Sequence, residues 1–183
     1  MQEILPLINN GHKHFGENKI QEAIEKWTEI KKKNKNLKLH FVGKLQSNKV
    51  KFAIPLFDYI HSLDNNKLAE KISSQQIKIN FRPKIFIQVN IGEEIQKNGV
   101  AVNELEEFII NCQKKYNLDI IGLMCIPPND NQSEKYFLRM KELNLKFGFP
   151  ELSMGMSNDY QLAIKHNSTF LRLGTKIFGN RIK

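Results

Sequence analysis

The segment Phe170-Leu171-Arg172-Leu173-Gly174-Thr175-Lys176-Ile177-Phe178-Gly179 reads as an apolar strand running into Gly-Thr and then into a short helix start. The run Gly155-Met156-Ser157-Asn158-Asp159 precedes it. After the last strands of a parallel β/α barrel, a tight Gly turn and the start of a short extra helix point backbone N–H groups outward together. A Ser or Thr hydroxyl completes such a cradle. The two segments therefore predict a parallel β/α barrel with a candidate anion seat near its C-terminal end.

Upstream of that end, apolar runs of strand length alternate with amphipathic helical stretches, the pattern of a parallel sheet with crossover helices. Strands are expected at His12–Glu17, Leu37–Gly43, Tyr59–Leu63, Lys84–Asn90, Leu118–Ile126, Leu152–Ser157 and Phe170–Gly174, each ending near a turn-forming residue. Pro127-Pro128 cannot donate to a ladder and closes the fifth strand. Asn103 followed by Glu106 has the form of a capping box, and Leu105, Phe108, Ile109, Cys112 and Tyr116 then recur on one helical face. Tyr136, Phe137, Met140 and Leu143 repeat that logic, and Trp27 with Ile20, Ala23, Ile24 and Ile30 reads as core.

Seven strands are one short of a (β/α)₈ barrel, and an absent strand leaves two edges with unpaired N–H and C=O groups. The chain opens with a helix-like segment, Met1–Asn10, of the kind that follows a first strand. One domain over residues 1–183, N-terminally incomplete, is the expectation.

Composition narrows the function classes. The chain has 183 residues, 40% of them hydrophobic, and no apolar run of the roughly 20 residues that a membrane span needs. The start MQEILPLINNGHKH lacks the basic and apolar blocks of a secretion signal. A cytoplasmic protein without a membrane partner is expected. Cys112 and Cys125 are the two cysteines, too few for a disulfide framework and not in a C-x-x-C pair, so they read as buried thiols. The net charge of +9 invites a nucleic-acid reading, but the lysines are dispersed apart from Lys31-Lys32-Lys33-Asn34-Lys35, which fits a solvated helix end. No helix-turn-helix, zinc-knuckle or aromatic RNA-binding signature accompanies it, so no nucleic-acid partner is expected.

The ordered motifs FGENKIQE (Phe15–Glu22), HFVGKLQSNK (His40–Lys49), KNG (Lys97–Gly99), GLMCIPP (Gly122–Pro128), GMSND (Gly155–Asp159) and RLGTKIFG (Arg172–Gly179) resemble the YggS/PROSC pyridoxal-phosphate homeostasis family over nearly the whole chain. The resemblance implies a barrel of the alanine racemase N-terminal type that binds pyridoxal 5′-phosphate (PLP) and takes part in vitamin B6 homeostasis. It further implies a carrier without robust turnover, monomeric in the family, with association possible through the open barrel edge. Ser157, Gly174 and Thr175 match the family's phosphate cradle. Arg172 matches the arginine that faces the pyridine nitrogen, and its two-residue offset from Gly174 puts both on one strand face. Asn18 and Met156 would lie around the ring, with His40 a further candidate at the mouth of its strand.

The chain also departs from that family. Relatives carry a Val-Ser-Lys-Thr-Lys-like motif on the first strand, whose first lysine forms the Schiff base with PLP, and Met1–Gly11 contains no lysine. Weak, reversible binding is therefore expected, with truncation the more economical account of the loss. A racemase-like enzyme and a catalytically silent remnant are the alternatives. His12-x-His14 has the spacing of some barrel metal sites, but the other histidines bring no completing ligands, so these read as strand histidines without metal.

Overall fold

Parallel strands and helices alternate throughout the computed structural model, which describes residues 3–94 and 98–179. The strands are β1 (His14–Glu17), β2 (Lys38–Phe41), β3 (Tyr59–Leu63), β4 (Lys84–Gln88), β5 (Asp119–Met124), β6 (Glu151–Met156) and β7 (Phe170–Arg172). They form one sheet in chain order with every pair parallel. Short α1 (Ile4–Asn9) leads into β1, and α2 (Ile20–Lys33), α3 (Val50–Ala53), α4 (Asn66–Ile79), α5 (Leu105–Ile110), α6 (Ser133–Lys146) and α7 (Tyr160–Lys165) lie in the crossovers. The single turn α8 (Thr175–Phe178) follows β7.

All seven expected strands are present: β3 has the expected bounds, β6 is shifted one residue earlier, and the others are trimmed by one or two residues at one end or both. β1 starts at His14 rather than His12, since the ladder to β2 begins where the Lys38 N–H takes the Lys13 carbonyl. β7 stops at Arg172 because Gly174, with φ −116° and ψ −83°, has left extended geometry. Among the described residues β1 pairs only with β2, and β7 only with β6.

The two faces of the sheet differ in chemistry. Phe15, Leu39, Phe41, Ile60, Ile85, Ile87, Leu123, Leu152 and Met154 pack outward against Trp27, Ile72, Leu105, Cys112, Phe137 and Met140 in one buried apolar cluster. Each large side chain removed from water there contributes about 1.5–3 kcal/mol. The inner face instead brings together His14, His40, Tyr59, His61, Phe86 and Phe170, with ring centroids 4.2–6.3 Å apart in several pairs. The edge contact between His14 of β1 and Phe170 of β7 curls the sheet into a nearly closed barrel.

The helical faces read from periodicity pack on the core, with Ile24, Ile30, Tyr136 and Leu143 half-buried at its margin, but the capping box is not formed. Asn103 sits inside a 3₁₀ turn, Val102–Glu104, that runs directly into α5, so no extended residue is placed there to cap. Glu106 instead pairs with Lys146 at 2.9 Å. Trp27 is fully buried, and its indole Nε1–H donates to Glu17 Oε1 at 2.7 Å, a polar anchor absent from the periodicity argument. The lysine run does close α2, yet Lys31 is not simply solvated: it donates to the Leu56 carbonyl and to Asp58 Oδ2. Among the described residues no helix is long and apolar enough to cross a membrane.

Candidate functional site at the C-terminal end of the barrel

Backbone geometry at the end of β6 builds the first half of the site. Gly155 has φ +91°, in the left-handed region, and a Cβ there would press into Ala163. The chain turns at once, and Asp159 pins the turn: its Oδ1 accepts the Met156 N–H at 2.6 Å and its own N–H donates to the Met156 carbonyl at 3.1 Å. Ser157 is thereby presented toward β7. Its Oγ accepts the N–H groups of Gly174 (3.3 Å) and Lys176 (3.2 Å), tying the end of β6 to the start of α8. Thr175 lies between those two amides with its side chain exposed.

Arg172 supplies the second half. As the last residue of β7, it donates from Nη1 to Ser153 Oγ and from Nη2 to the Cys125 carbonyl, both at 2.8 Å. Both acceptors are neutral, so the guanidinium is fixed in direction while its charge is not cancelled by them. Burial lowers its pKa from the ordinary arginine value, yet it stays a cation at every working pH. The alternation expected between Arg172 and Gly174 does not hold, because the strand ends at Arg172. Ser157 brings Gly174 into the site instead.

Met156, Ser157, Arg172, Gly174 and Thr175 thus gather at the ends of β6 and β7. Met156 is 39% exposed at the last position of β6. Asn18 stands across the opening, exposed and just past the end of β1. Its backbone passes so close to Gly43 that a Cβ on Gly43 would overlap the Asn18 carbonyl. Lys97 of the KNG motif lies outside the described residues.

His40 is not at a mouth. It is buried within the barrel, stacked on Tyr59 at 4.2 Å, because its register partner is the first residue of β3 rather than an upper one. It is the middle of a line that spacing did not reveal. His14 Nδ1 lies 2.9 Å from His40 Nε2, His40 Nδ1 lies 2.9 Å from His61 Nε2, and His61 Nδ1 lies 2.9 Å from Ser153 Oγ, the atom that also accepts from Arg172. Burial, then the neighbouring His14, pushes His40 down to about 3, and burial, then His40 and Arg172, holds His61 well below its ordinary value. The available signal was a histidine at an inward position on each of the first three strands.

His12 lies outside β1, exposed, and donates Nε2–H to the His14 carbonyl at 2.7 Å. No group of three or more metal-ligating side chains occurs among the described residues. Cys112 and Cys125 are buried and unpaired, and burial pushes both thiols up to about 12, so they are inert packing groups.

Residues 1–181 match the family described as alanine racemase, N-terminal domain. The chain is 38% identical to the pyridoxal phosphate homeostasis protein of Aquifex aeolicus, with 97% of this chain and 81% of the relative covered. It belongs to the pyridoxal phosphate homeostasis protein family. The Escherichia coli member of that family is 33% identical over 97% of this chain and 80% of its own length. PipY of Synechococcus elongatus PCC7942, a structure with PLP bound, superposes with a TM-score of 0.87 at 33% identity, covering 96% of this chain and 86% of PipY. Alanine racemase of Clostridium difficile 630 superposes with a TM-score of 0.72 at 15% identity over 98% of this chain and 48% of that one, a likeness of fold. The α/β barrel of this family member is therefore of the alanine racemase N-terminal type.

Proposed function

We propose that the chain binds PLP at the upper ends of β6 and β7 and serves in PLP homeostasis as a carrier. The observation that carries this reading is Ser157 Oγ holding the amides of Gly174 and Lys176 on one point, beside a fixed guanidinium whose hydrogen-bond acceptors are neutral. That arrangement suits a phosphate ester: the Ser157 hydroxyl keeps its own proton to give while gathering two amides, and Thr175 stands exposed between them. The PLP-bound structure of PipY supports the same ligand.

The roles divide by residue. Ser157, Gly174 and Thr175 hold the phosphate, Met156 and Asn18 bound the ring, and Arg172 meets its pyridine nitrogen. When bound, PLP supplies an electron sink whose strength depends on protonation of that nitrogen. A permanent cation at Arg172 disfavours a proton there, which weakens the sink and suits carriage better than turnover. These residues make non-covalent contacts, so binding through them is reversible.

A PLP titration followed by visible absorbance, with borohydride reduction and intact mass on the same sample, tests the reading. Saturable binding that inorganic phosphate competes away is expected. A chain that takes up neither PLP nor phosphate would sink it. A single reduced lysine adduct would add a covalent contact that the seat itself does not provide. We also read the chain as one domain, cytoplasmic and monomeric. Two unpaired cysteines support a reducing compartment, and light scattering separates a monomer from association through the edges of β1 and β7.

A further inference from the structure

The line from His14 to Ser153 has no role in the seat just described, although it ends on the atom that holds Arg172. Its donor count fixes a direction. A guanidinium only donates, so Ser153 Oγ accepts from Arg172 and has its own hydroxyl proton to give to His61 Nδ1. His61 then carries its proton on Nε2 and donates to His40 Nδ1, and His40 donates from Nε2 to His14 Nδ1. The opposite direction leaves the Ser153 hydroxyl proton without an acceptor among the described residues. Ser153 is fully buried, where an unmet donor is costly.

We propose that His61 and Ser153 are positioning residues for Arg172, and that the line through His40 to His14 makes their hold depend on the charge of His14 at the lower mouth of the barrel. A doubly protonated His14 must donate from Nδ1. His40 Nε2 must then be bare and His40 must donate from Nδ1, which forces the same change on His61. One proton is taken up in all, from solvent at His14, the exposed end: His14 gains Nδ1–H, His40 and His61 each exchange Nε2–H for Nδ1–H, and Ser153 keeps its own hydroxyl proton, turned away from His61. Ser153 Oγ then receives two N–H donors and gives its proton to neither. An oxygen that no longer donates is a weaker acceptor, because donation and acceptance at one atom reinforce each other. Charging His14 therefore loosens Arg172.

The groups facing the line are on every adjoining element. His14 is met by His12 and Lys13 ahead of β1, by Lys38 and His40 of β2, by Asp58 and Tyr59 at the start of β3, and by the ring of Phe170. Burial, then His12 and Lys38, lowers its pKa, while Asp58 opposes them. His40 is stacked on Tyr59 and senses Asp58 and Lys31; His61 is stacked on Phe86 and senses Arg172.

The effect on PLP rests on the proposed seat, whereas the tautomer pattern does not, and the test separates them. Multiple-bond 1H–15N spectra of the full chain, labelled at histidine and free of PLP, read the protonated nitrogen of each ring directly. At about pH 7.5 all three histidines are expected as Nε2–H. On acidification His40 and His61 should pass to Nδ1–H with the midpoint at which His14 charges, and in H14Q they should stay Nε2–H. A His61 that is Nδ1–H at neutral pH, or a His14 that charges while the other two are unmoved, would overturn the proposal. In binding assays S153A should lose about tenfold in PLP affinity while its phosphate affinity stays within about twofold, and S153T should restore it. Equal losses for both ligands would also overturn it. A tautomer switch in a chain that binds no PLP would refute the PLP seat alone; PLP binding without the switch would refute the relay alone.

Discussion

Acidifying this protein from about pH 7.5 to about pH 5 should remove more than about 2 kcal/mol of its stability through histidines that the barrel keeps neutral. Burial and the neighbouring His14 hold His40 at about 3, and burial with His40 and Arg172 holds His61 well below its ordinary value. In the unfolded chain each returns to about 6.5. Above that value neither state binds the proton and stability does not respond to pH. Below it the unfolded chain takes up protons that the folded one refuses, so stability falls with pH until the folded groups themselves titrate. At about pH 5 the cost for His40 is RT ln(1 + 10^1.5), about 2 kcal/mol, and His61, lowered in the same direction, adds to it. The His40 cost alone is a sizeable share of the roughly 5–15 kcal/mol that holds a domain folded. Asp64, raised by burial, works the other way. Urea unfolding followed by circular dichroism at a series of pH values gives the slope, expected to exceed the one proton, or about 1.4 kcal/mol per pH unit, that His40 alone supplies between pH of about 5 and 6. H61Q should make that slope shallower. A stability that agrees within about 1 kcal/mol at the two ends, or an H61Q slope equal to that of the unaltered chain, would refute the reasoning.

Other substitutions probe the seat and its supports. R172Q should lose more than about tenfold in PLP affinity with phosphate affinity kept within about twofold, because Arg172 is assigned to the ring and not to the phosphate; calorimetric titration with both ligands decides. G43A should cost about 2–3 kcal/mol in urea unfolding, since the new Cβ meets the Asn18 carbonyl, a backbone atom that cannot swing aside; a loss below about 0.5 kcal/mol would count against that close approach. Cys112 and Cys125, with thiols pushed up to about 12, should resist an aromatic disulfide reagent in the native chain and react fully in urea; rapid native labelling would contradict their burial.

Strand order, and the turns that bring Ser157 to Gly174, were legible because each rests on local pattern. Apolar runs closed by turn residues locate all seven strands to within two or so residues, and Gly155, Ser157 and Gly174 announce tight turns by residue type alone. Asn103 with Glu106 misled for a related reason: the capping box is a two-residue signature, and the 3₁₀ turn that displaces it depends on the approach from Ala101. His40 was misplaced because a strand read from sequence has no register. Only the pairing of His40 with Tyr59 sets it deep in the barrel. The contacts of Ser153 with His61 and Arg172 span 92 and 19 residues, distances at which no periodicity operates.

The separation of the two sheet faces explains how a chain of this size tolerates a titratable interior. The apolar cluster lies outside the barrel, between strands and helices, and includes Trp27, Phe41, Phe137 and the aliphatic outward positions. That layer supplies the burial needed to fold, so the inner face is free to carry groups that add little net stability. His40, His61 and Ser153 use that freedom: each finds a hydrogen-bond partner on a different strand, and together they cross the barrel from β1 to β7. Phe86 and Phe170 close around the imidazoles and exclude water, which strengthens those bonds and raises the cost of any unmatched donor. A line so constrained has two settings rather than a continuum, one with every donor met and one that leaves the Ser153 hydroxyl proton unmet, and Arg172 stands at the end where they differ.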